Sequence, residues 1–137
     1  MTTITVETTI TNSIEKIWDA WNNPEHIVHW AFASDDWEAP AATQDLKVGG
    51  EFTTTMAAKD GSTSFIFSGT YTEVVPHEKI AYTIPDGRKV EVLFEKISDN
   101  EYKIVETFDP EHENSEEMQR GGWQAILDNF KKYAETL

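Results

Sequence analysis

The sequence contains no cysteine, and it is poor in basic residues and in long apolar runs. The absence of cysteine excludes disulfide bonds, thiol nucleophiles, iron–sulfur clusters and thiolate zinc sites. Only 11 Lys and Arg stand against 25 Asp and Glu, which makes the formal net charge −14. Because that charge repels phosphate groups, we expect neither nucleic-acid binding nor electrostatic docking on anionic membranes.

No apolar segment approaches the roughly 20 residues that span a bilayer. Residues 1–6 alternate between polar and apolar side chains and do not form a basic start followed by an apolar core, so we expect no signal peptide and a cytoplasmic protein. The 137 residues suit one domain, residues 1–137, and no repeat or linker marks a boundary. Aromatic residues make up 12% of the chain, which indicates a bulky core or an aromatic-lined cavity.

Alternation of apolar and polar residues from Ile4 to Ile10 predicts a first strand. Two short helices are predicted next, one capped by Asn12 and one capped by Asn23 with Pro24 at its first position. Turn residues then separate further strands, and the short loops between them favour an antiparallel meander. These strands are 51–57, 64–75, 79–84, 89–97 and 101–108, with one more candidate at 37–42.

The segment 115–137 is predicted to form one long amphipathic helix. We expect Asn114 to cap this helix and Glu117 to close a capping box. Gly121 and Gly122 lie inside the helix, where each glycine costs about 1 kcal/mol relative to alanine. Three explanations stay open for the glycine pair: close approach of another backbone, a ligand against the helix face, or a kink.

The predicted order is one strand, two short helices, five or six strands and one long helix, which indicates an α+β fold. An antiparallel sheet of this kind needs one face covered, and the C-terminal helix is the one element long enough to cover it. We therefore expect the sheet to curve around that helix.

Three parts of the sequence, taken in order, also carry a family likeness. They are Ile17-Trp18 with residues 23–30; residues 48–52 with 69–71 and 76–83; and residues 122–130. With these segments the chain resembles the START-like, or SRPBCC, superfamily. Within it, the chain is similar to proteins related to the C-terminal domain of the heat-shock-protein ATPase activator.

The resemblance implies a helix-grip fold, in which about six to seven antiparallel strands wrap around the C-terminal helix. It also implies an elongated apolar cavity between this helix and the sheet. Relatives use the cavity for lipids, sterols, polyketides and other hydrophobic molecules, and some are cyclases or aromatases. The chaperone-activator relatives use an outer surface to bind a protein.

Strand parity groups the side chains that we expect on the inner face of the sheet, opposite the helix. The candidate ligand-binding residues are Trp30, Phe52, Thr54, Met56, Phe67, Tyr71, Tyr82, Ile84, Val92, Glu106, Phe108, Met118, Gly122, Trp123 and Ile126. Ordinary core packing also explains each of them singly. No catalytic residue, cofactor or metal is assigned, since His26 and His29 have no third ligand at a defined spacing.

Glu106 is the most informative of these residues, because it shares its parity with Ile104 and Phe108. A carboxylate that faces an apolar cavity has a raised pKa or finds a partner, such as Arg88 or Tyr82. The alternatives are a bulge that turns Glu106 outward and a local hydrogen bond that satisfies it. Our hypothesis is that Glu106 is the polar anchor that orients a hydrophobic ligand.

Three functions follow from these observations. The first is binding of a small hydrophobic molecule, whether a lipid, a polyketide or an aromatic compound, without chemistry. The second is a protein-interaction or co-chaperone-like module. The third is a cyclase or aromatase-type enzyme, for which Glu106, Tyr82, Tyr71 and a histidine are the available acid–base groups. The sequence leaves both a monomer and a homodimer open.

Overall fold

The structure is a computed structural model that describes residues 3–137, so residues 1 and 2 of the predicted domain lie outside it. Its elements are β1 (Ile4–Thr11), α1 (Ile14–Asn22), α2 (Pro24–Ile27), β2 (Trp37–Gln44), β3 (Glu51–Ala58), β4 (Ser64–Val75), β5 (Lys79–Thr83), β6 (Lys89–Ser98), β7 (Glu101–Phe108) and α3 (Glu116–Ala134). The predicted α+β helix-grip fold is confirmed: a curled antiparallel sheet holds the C-terminal helix.

The sheet has seven strands in the order β1-β7-β6-β5-β4-β3-β2, and every neighbouring pair is antiparallel. Strands β2 to β7 form the predicted meander, because the turns between them are too short for parallel crossovers. Strand β1 joins at the far edge, where Ile4 lies opposite Phe108 and Thr11 lies opposite Glu101. The candidate strand predicted at 37–42 is present as β2 and pairs with β3. Its register shifts between Glu38 and Ala41, around Pro40.

Two helix caps differ from the prediction. Ser13, not Asn12, caps α1, and its hydroxyl accepts a hydrogen bond from the Lys16 backbone N–H at 3.4 Å. Asn12 instead donates from Nδ2 to the Ala134 carbonyl at 2.9 Å, which ties the end of β1 to the end of α3. The predicted cap of α2 is confirmed, with Asn23 in the cap position and proline first in the helix.

The C-terminal helix is shorter than predicted and covers 19 residues. Ser115 caps it by accepting a hydrogen bond from the Met118 N–H at 3.1 Å, so the predicted capping box of Asn114 and Glu117 is wrong. Asn114 instead donates from its backbone N–H to the Glu111 carboxylate at 2.9 Å. At about 1.5 Å per residue, α3 is still about 28 Å long and crosses the sheet.

The position of α3 divides the domain into two parts. The helix lies against β1 and α1, its residues Leu127, Phe130 and Ala134 are buried, and its Trp123 stacks on Phe108 of β7. We call β1, β6 and β7, with the buried face of α3, the packed half. Strands β2 to β5 lie farther from the helix, and we call them the open half. The cavity described below lies mainly over the open half.

Candidate functional site

A cavity of about 220 Å³ lies between α3, the two short helices and the inner face of the sheet. Aromatic and aliphatic side chains form most of its wall, and a few polar groups interrupt them. Its lining residues are Trp21, Ile27, Trp30, Ala31, Gln44, Phe52, Thr54, Met56, Phe65, Phe67, Tyr71, Ile80, Tyr82, Glu106, Trp123 and Ile126. Phe65 is 51% exposed, so the cavity opens toward solvent at the end where this residue lies.

The sheet wall is a cluster of aromatic rings around Gly69. Phe52 and Tyr82 meet edge to face with their ring centroids 4.8 Å apart, and Tyr71 lies 5.4 Å from Phe52. A Cβ atom at Gly69 would lie 2.7 Å from Phe52 and 2.8 Å from Tyr82. Glycine is therefore needed at this position of β4, because any side chain would displace the rings that form the wall.

The helix wall depends on Trp123. Its ring stacks on Phe108 with centroids 3.8 Å apart and an interplanar angle of 12°, and its edge faces Phe67 at 6.0 Å. This contact covers Phe108 and holds the Trp123 ring at the boundary between the packed half and the cavity. The edge-to-face pair of Trp123 and Phe67 is a geometry that aromatic rings prefer, so it supports the position of the Trp123 ring.

The glycine pair in α3 faces open space. A Cβ atom at Gly121 or Gly122 would meet nothing within 4 Å outside its own helix, so the explanation by close approach of another backbone is wrong. The helix continues through both residues. Of the remaining explanations, a ligand beside Gly122 stays a proposal.

The third wall comes from the short helices. Trp30 is buried, lines the cavity and donates its indole N–H to the Ala20 carbonyl at 2.9 Å. Trp21 packs 5.0 Å from Trp30 and edge to face with Phe130 at 4.8 Å. The apolar stripes of α1 and α2 thus close the end of the cavity nearest the C-terminus of α3.

A row of hydrogen-bonded polar side chains crosses the cavity wall near the start of β3. The Tyr71 hydroxyl donates to Gln44 Oε1 at 2.6 Å, and Gln44 Nε2 donates to Asn22 Oδ1 at 3.5 Å. Burial raises the pKa of Tyr71 to about 12, and the hydrogen bond with Gln44 acts in the opposite direction. These groups satisfy one another, so they contribute structure before any ligand is bound.

Glu106 faces the cavity, as its parity predicted. The strand register is regular there, with Val6 and Val92 on either side, so the alternative of a bulge that turns Glu106 outward is wrong. The residue is 7% exposed, and no side chain in residues 3–137 donates a hydrogen bond to its carboxyl group. Burial raises the pKa of Glu106 to about 8. The suggested partner Arg88 instead bonds Asp86 at 2.8 Å.

Two further hydroxyl groups lie in the cavity wall without a protein partner among the described residues. Tyr82 and Thr54 are 7% and 6% exposed, respectively. Burial, followed by the charge of Glu106 and then of Tyr71, raises the pKa of Tyr82 well above its usual value. No fully enclosed side-chain N or O atom in the described residues lacks a partner, so these oxygens open on the cavity space.

Ten of the fifteen candidate residues line this cavity: Trp30, Phe52, Thr54, Met56, Phe67, Tyr71, Tyr82, Glu106, Trp123 and Ile126. Ile84, Val92 and Phe108 lie in closed packing, with 8%, 0% and 1% of their surface exposed. Gly122 is half-buried beside the cavity without forming part of its wall.

Met118 is a correction of a different kind, because 66% of its surface is exposed. The inward position in this turn belongs to Gln119, which is 8% exposed. Gln119 accepts from the Glu111 N–H at 2.8 Å and donates to the Asn114 carbonyl at 2.9 Å. The prediction that Met118 binds a ligand in the cavity is therefore wrong, because its side chain lies on the exposed face of α3.

Six residues that line the cavity are missing from the predicted set: Trp21, Ile27, Ala31, Gln44, Phe65 and Ile80. Phe65 and Ile80 carry the right strand parity, and Trp21 and Ile27 lie on the apolar stripes of their helices, so a signal for these four existed. Ala31 lies in the turn after α2, and Gln44 is the last residue of β2, where the alternation of apolar and polar residues is weak. The sequence pattern therefore gives no signal that these two residues line a cavity.

His26 in α2 and His29 in the turn after it both contact Tyr133 of α3. His26 bonds the Tyr133 hydroxyl through Nδ1 and lies 3.1 Å from Asp19 Oδ2 through Nε2, which joins α1, α2 and α3. His29 stacks on the Tyr133 ring at 5.4 Å. Within residues 3–137, no group of three His, Asp or Glu side chains is arranged to hold a metal ion. None of the helices in that range is long and apolar enough to cross a membrane.

The curled sheet, the gripped C-terminal helix and the cavity between them define a START-like domain. Residues 11–135 match the family model described as Activator of Hsp90 ATPase homolog 1-like protein, and the chain belongs to this family. Family membership fits a domain that binds ligands or interacts with proteins.

Solved structures agree with this assignment. The AHSA1-like protein of Aeromonas hydrophila is 43% identical, with a TM-score of 0.91 over 98% of this chain and 93% of that one. A protein of Cytophaga hutchinsonii is 56% identical, with a TM-score of 0.83 over 97% of this chain and 92% of that one. A Chromobacterium violaceum protein is 20% identical with a TM-score of 0.83 over 98% and 99%, and shows the fold alone. No curated protein matches the chain.

Proposed function

We propose that this domain binds a small hydrophobic molecule of about one or two rings in the cavity between α3 and the sheet. The observation that carries the proposal is the aromatic-walled space of about 220 Å³. A dry apolar cavity of about 150 Å³ accepts benzene, and typical ligand pockets measure about 300–1,000 Å³. The volume therefore suits a compact aromatic compound better than a long acyl chain.

The energetics of the cavity support a bound molecule. Because the cavity opens toward solvent, water contacts its apolar walls, and each Å² of apolar wall that a ligand covers contributes about 25 cal/mol of free energy. The aromatic contacts around Trp123 and Gly69 hold the walls apart, so the space does not close by collapse. A ligand of matching shape recovers part of this free energy when it binds.

Glu106 gives the cavity its polar anchor in this proposal. Its carboxyl group is buried and unpaired by protein, and a ligand group that bonds it compensates a desolvation cost that the empty domain carries. Apolar walls with a few convergent polar groups are the usual composition of small-molecule sites.

The test titrates naphthalene derivatives while tryptophan fluorescence and melting temperature are recorded. Trp21, Trp30 and Trp123 line the cavity, so a bound ring changes their emission. Binding to the native state also raises the melting temperature by linkage. We expect micromolar to millimolar binding with both signals, since few atoms make contact.

A matched pair of variants locates the site. Ala31 is buried in the cavity wall, so Ala31→Leu places three extra carbon atoms in the space and weakens binding about tenfold or more. Ala41→Leu adds the same atoms at an exposed position of β2 and leaves binding unchanged. Equal affinity in the two variants would place the ligand elsewhere, and no response to any aromatic compound would refute the proposed function.

A further inference from the structure

Three buried polar side chains in the cavity wall have no partner in the described part of the chain. They are Glu106 on β7, Tyr82 on β5 and Thr54 on β3, and each is more than nine-tenths buried. Their oxygen atoms open on the cavity space, so a ligand in the cavity can form hydrogen bonds with them. The chemistry of these groups then selects the ligand.

Glu106 and Tyr82 both present hydrogen-bond donors near neutral pH. Burial raises the pKa of the Glu106 carboxyl to about 8, which keeps it mainly in the protonated form with one O–H donor. The pKa of Tyr82 is also raised, so its phenol keeps its proton. Ketosteroid isomerase shows that such a pair can act together, because a tyrosine and a protonated aspartic acid there donate to one oxygen.

The cavity wall offers no compensating positive charge. The titratable side chains that share it with Glu106 are Tyr71 from β4 and Tyr82 from β5. Within the described residues, β1, β2, β3, β6 and the three helices contribute no charged or titratable side chain to this wall. Tyr71 already donates its proton to Gln44. A ligand with a full negative charge would therefore be buried without a counter-ion, at a high desolvation cost.

We propose that the ligand is an uncharged aromatic compound that carries a carbonyl oxygen, and that this oxygen accepts hydrogen bonds from the Glu106 carboxyl and the Tyr82 phenol. The inference rests on the proposed binding function and specifies its ligand class. A carbonyl oxygen has two lone pairs, so it matches two donors with no proton transfer. An amine is the contrasting class, because it would take the Glu106 proton and form a buried ion pair.

Isothermal titration calorimetry with four matched probes tests the ligand class. The probes are methyl naphthyl ketone, ethylnaphthalene, naphthylethylamine and naphthoate, which share one ring system and differ in the polar group. We expect the ketone to bind about tenfold or more tightly than ethylnaphthalene, as two recovered hydrogen bonds imply, and the naphthoate to bind weakest at about pH 7.

Substitutions separate a donor role from a charge role. Glu106→Gln keeps an N–H donor, so ketone affinity stays within about threefold, whereas Glu106→Leu lowers it about tenfold and leaves ethylnaphthalene affinity unchanged or higher. Tyr82→Phe lowers ketone affinity by a comparable factor. The control Glu95→Gln changes an exposed carboxylate on β6 and leaves every probe unaffected.

The pH dependence of ketone affinity tests whether Glu106 acts as a protonated donor. Because the donor is the protonated carboxyl, ketone affinity is full below the Glu106 pKa of about 8 and falls up to about tenfold per pH unit above it. The profile is flat in Glu106→Gln.

Ketone binding no tighter than ethylnaphthalene binding would overturn the inference and leave the binding function intact. Amine binding that rises with pH and disappears in Glu106→Gln would overturn it in favour of a carboxylate site. If no probe binds, the proposed function itself fails.

Discussion

The packed half and the open half of the sheet are built from the same apolar alternation, yet one half is filled and the other holds a cavity. In the packed half, Phe108 lies under Trp123 and Phe130 has no exposed surface. In the open half, Phe52, Tyr71 and Tyr82 pack mainly on one another along the sheet. The comparison shows that strand pattern alone does not make a site. The line that α3 takes across the sheet decides which inner face stays uncovered.

The largest effect expected from this comparison concerns two phenylalanines. Phe108→Ala removes a ring enclosed in the packed half and should lower the free energy of unfolding by about 3–5 kcal/mol. Phe67→Ala removes a half-buried ring that already borders the cavity, so we expect about half that loss. Urea unfolding of the two variants measures the difference. Equal losses would mean that the two halves are packed alike.

The pH dependence of stability sharpens the comparison at Glu106. Its folded-state pKa of about 8 lies above the unfolded value of 4.5, so between these two values the folded state binds more protons and stability falls as the pH rises. The loss is about 1.4 kcal/mol per pH unit at most, and it is absent from Glu106→Gln. In thermal unfolding from about pH 5 to about pH 9, the melting temperature of the wild type should fall relative to that of Glu106→Gln as the pH rises. Parallel curves would contradict a buried, unpaired carboxyl group.

Two glycines provide the smallest and most discriminating test. Gly122→Ala meets open space and removes a helix penalty, so it should stabilise the domain by about 0.5–1 kcal/mol. Gly69→Ala pushes against Phe52 and Tyr82 and should destabilise it by about 1–3 kcal/mol. Chemical denaturation measures the change in the free energy of unfolding for both variants, and Gly121→Ala is the matched control in the helix. Destabilisation by Gly122→Ala would show that α3 lies closer to a neighbour than the structure places it.

The fold followed from local patterns to a large extent. Alternation, turn residues and the proline after Asn23 predicted the meander and the short helices, because short loops force neighbouring strands to pair. The helix ends were less accurate: Ser13 and Ser115 cap where Asn12 and Asn114 were expected. Adjacent polar residues compete for a cap, and the tertiary bonds that Asn12 makes to the end of α3 decide the outcome.

The sequence predicted the residues of the site less completely than the fold, because contacts between distant segments decide which side chains line the cavity. Strand parity placed Glu106 and Tyr82 correctly, because successive side chains alternate between the two faces. Parity does not tell which inward residue is covered by a helix, so Val92 and Phe108 were included although the packed half encloses them. Gln44 reaches the cavity through its bond with Tyr71, which joins residues far apart in sequence.

By itself, the sequence determined the element order, the antiparallel pairing and the inner face of each strand, since each of these follows from short-range periodicity and turn chemistry. The class of domain came from the resemblance of three segments to a known family. The tertiary structure alone decided that the space beside α3 stays open, that the glycine pair touches no neighbouring backbone, and that Glu106 remains without a protein partner among the described residues. These are properties of packing between distant segments, and packing depends on where whole elements come to rest.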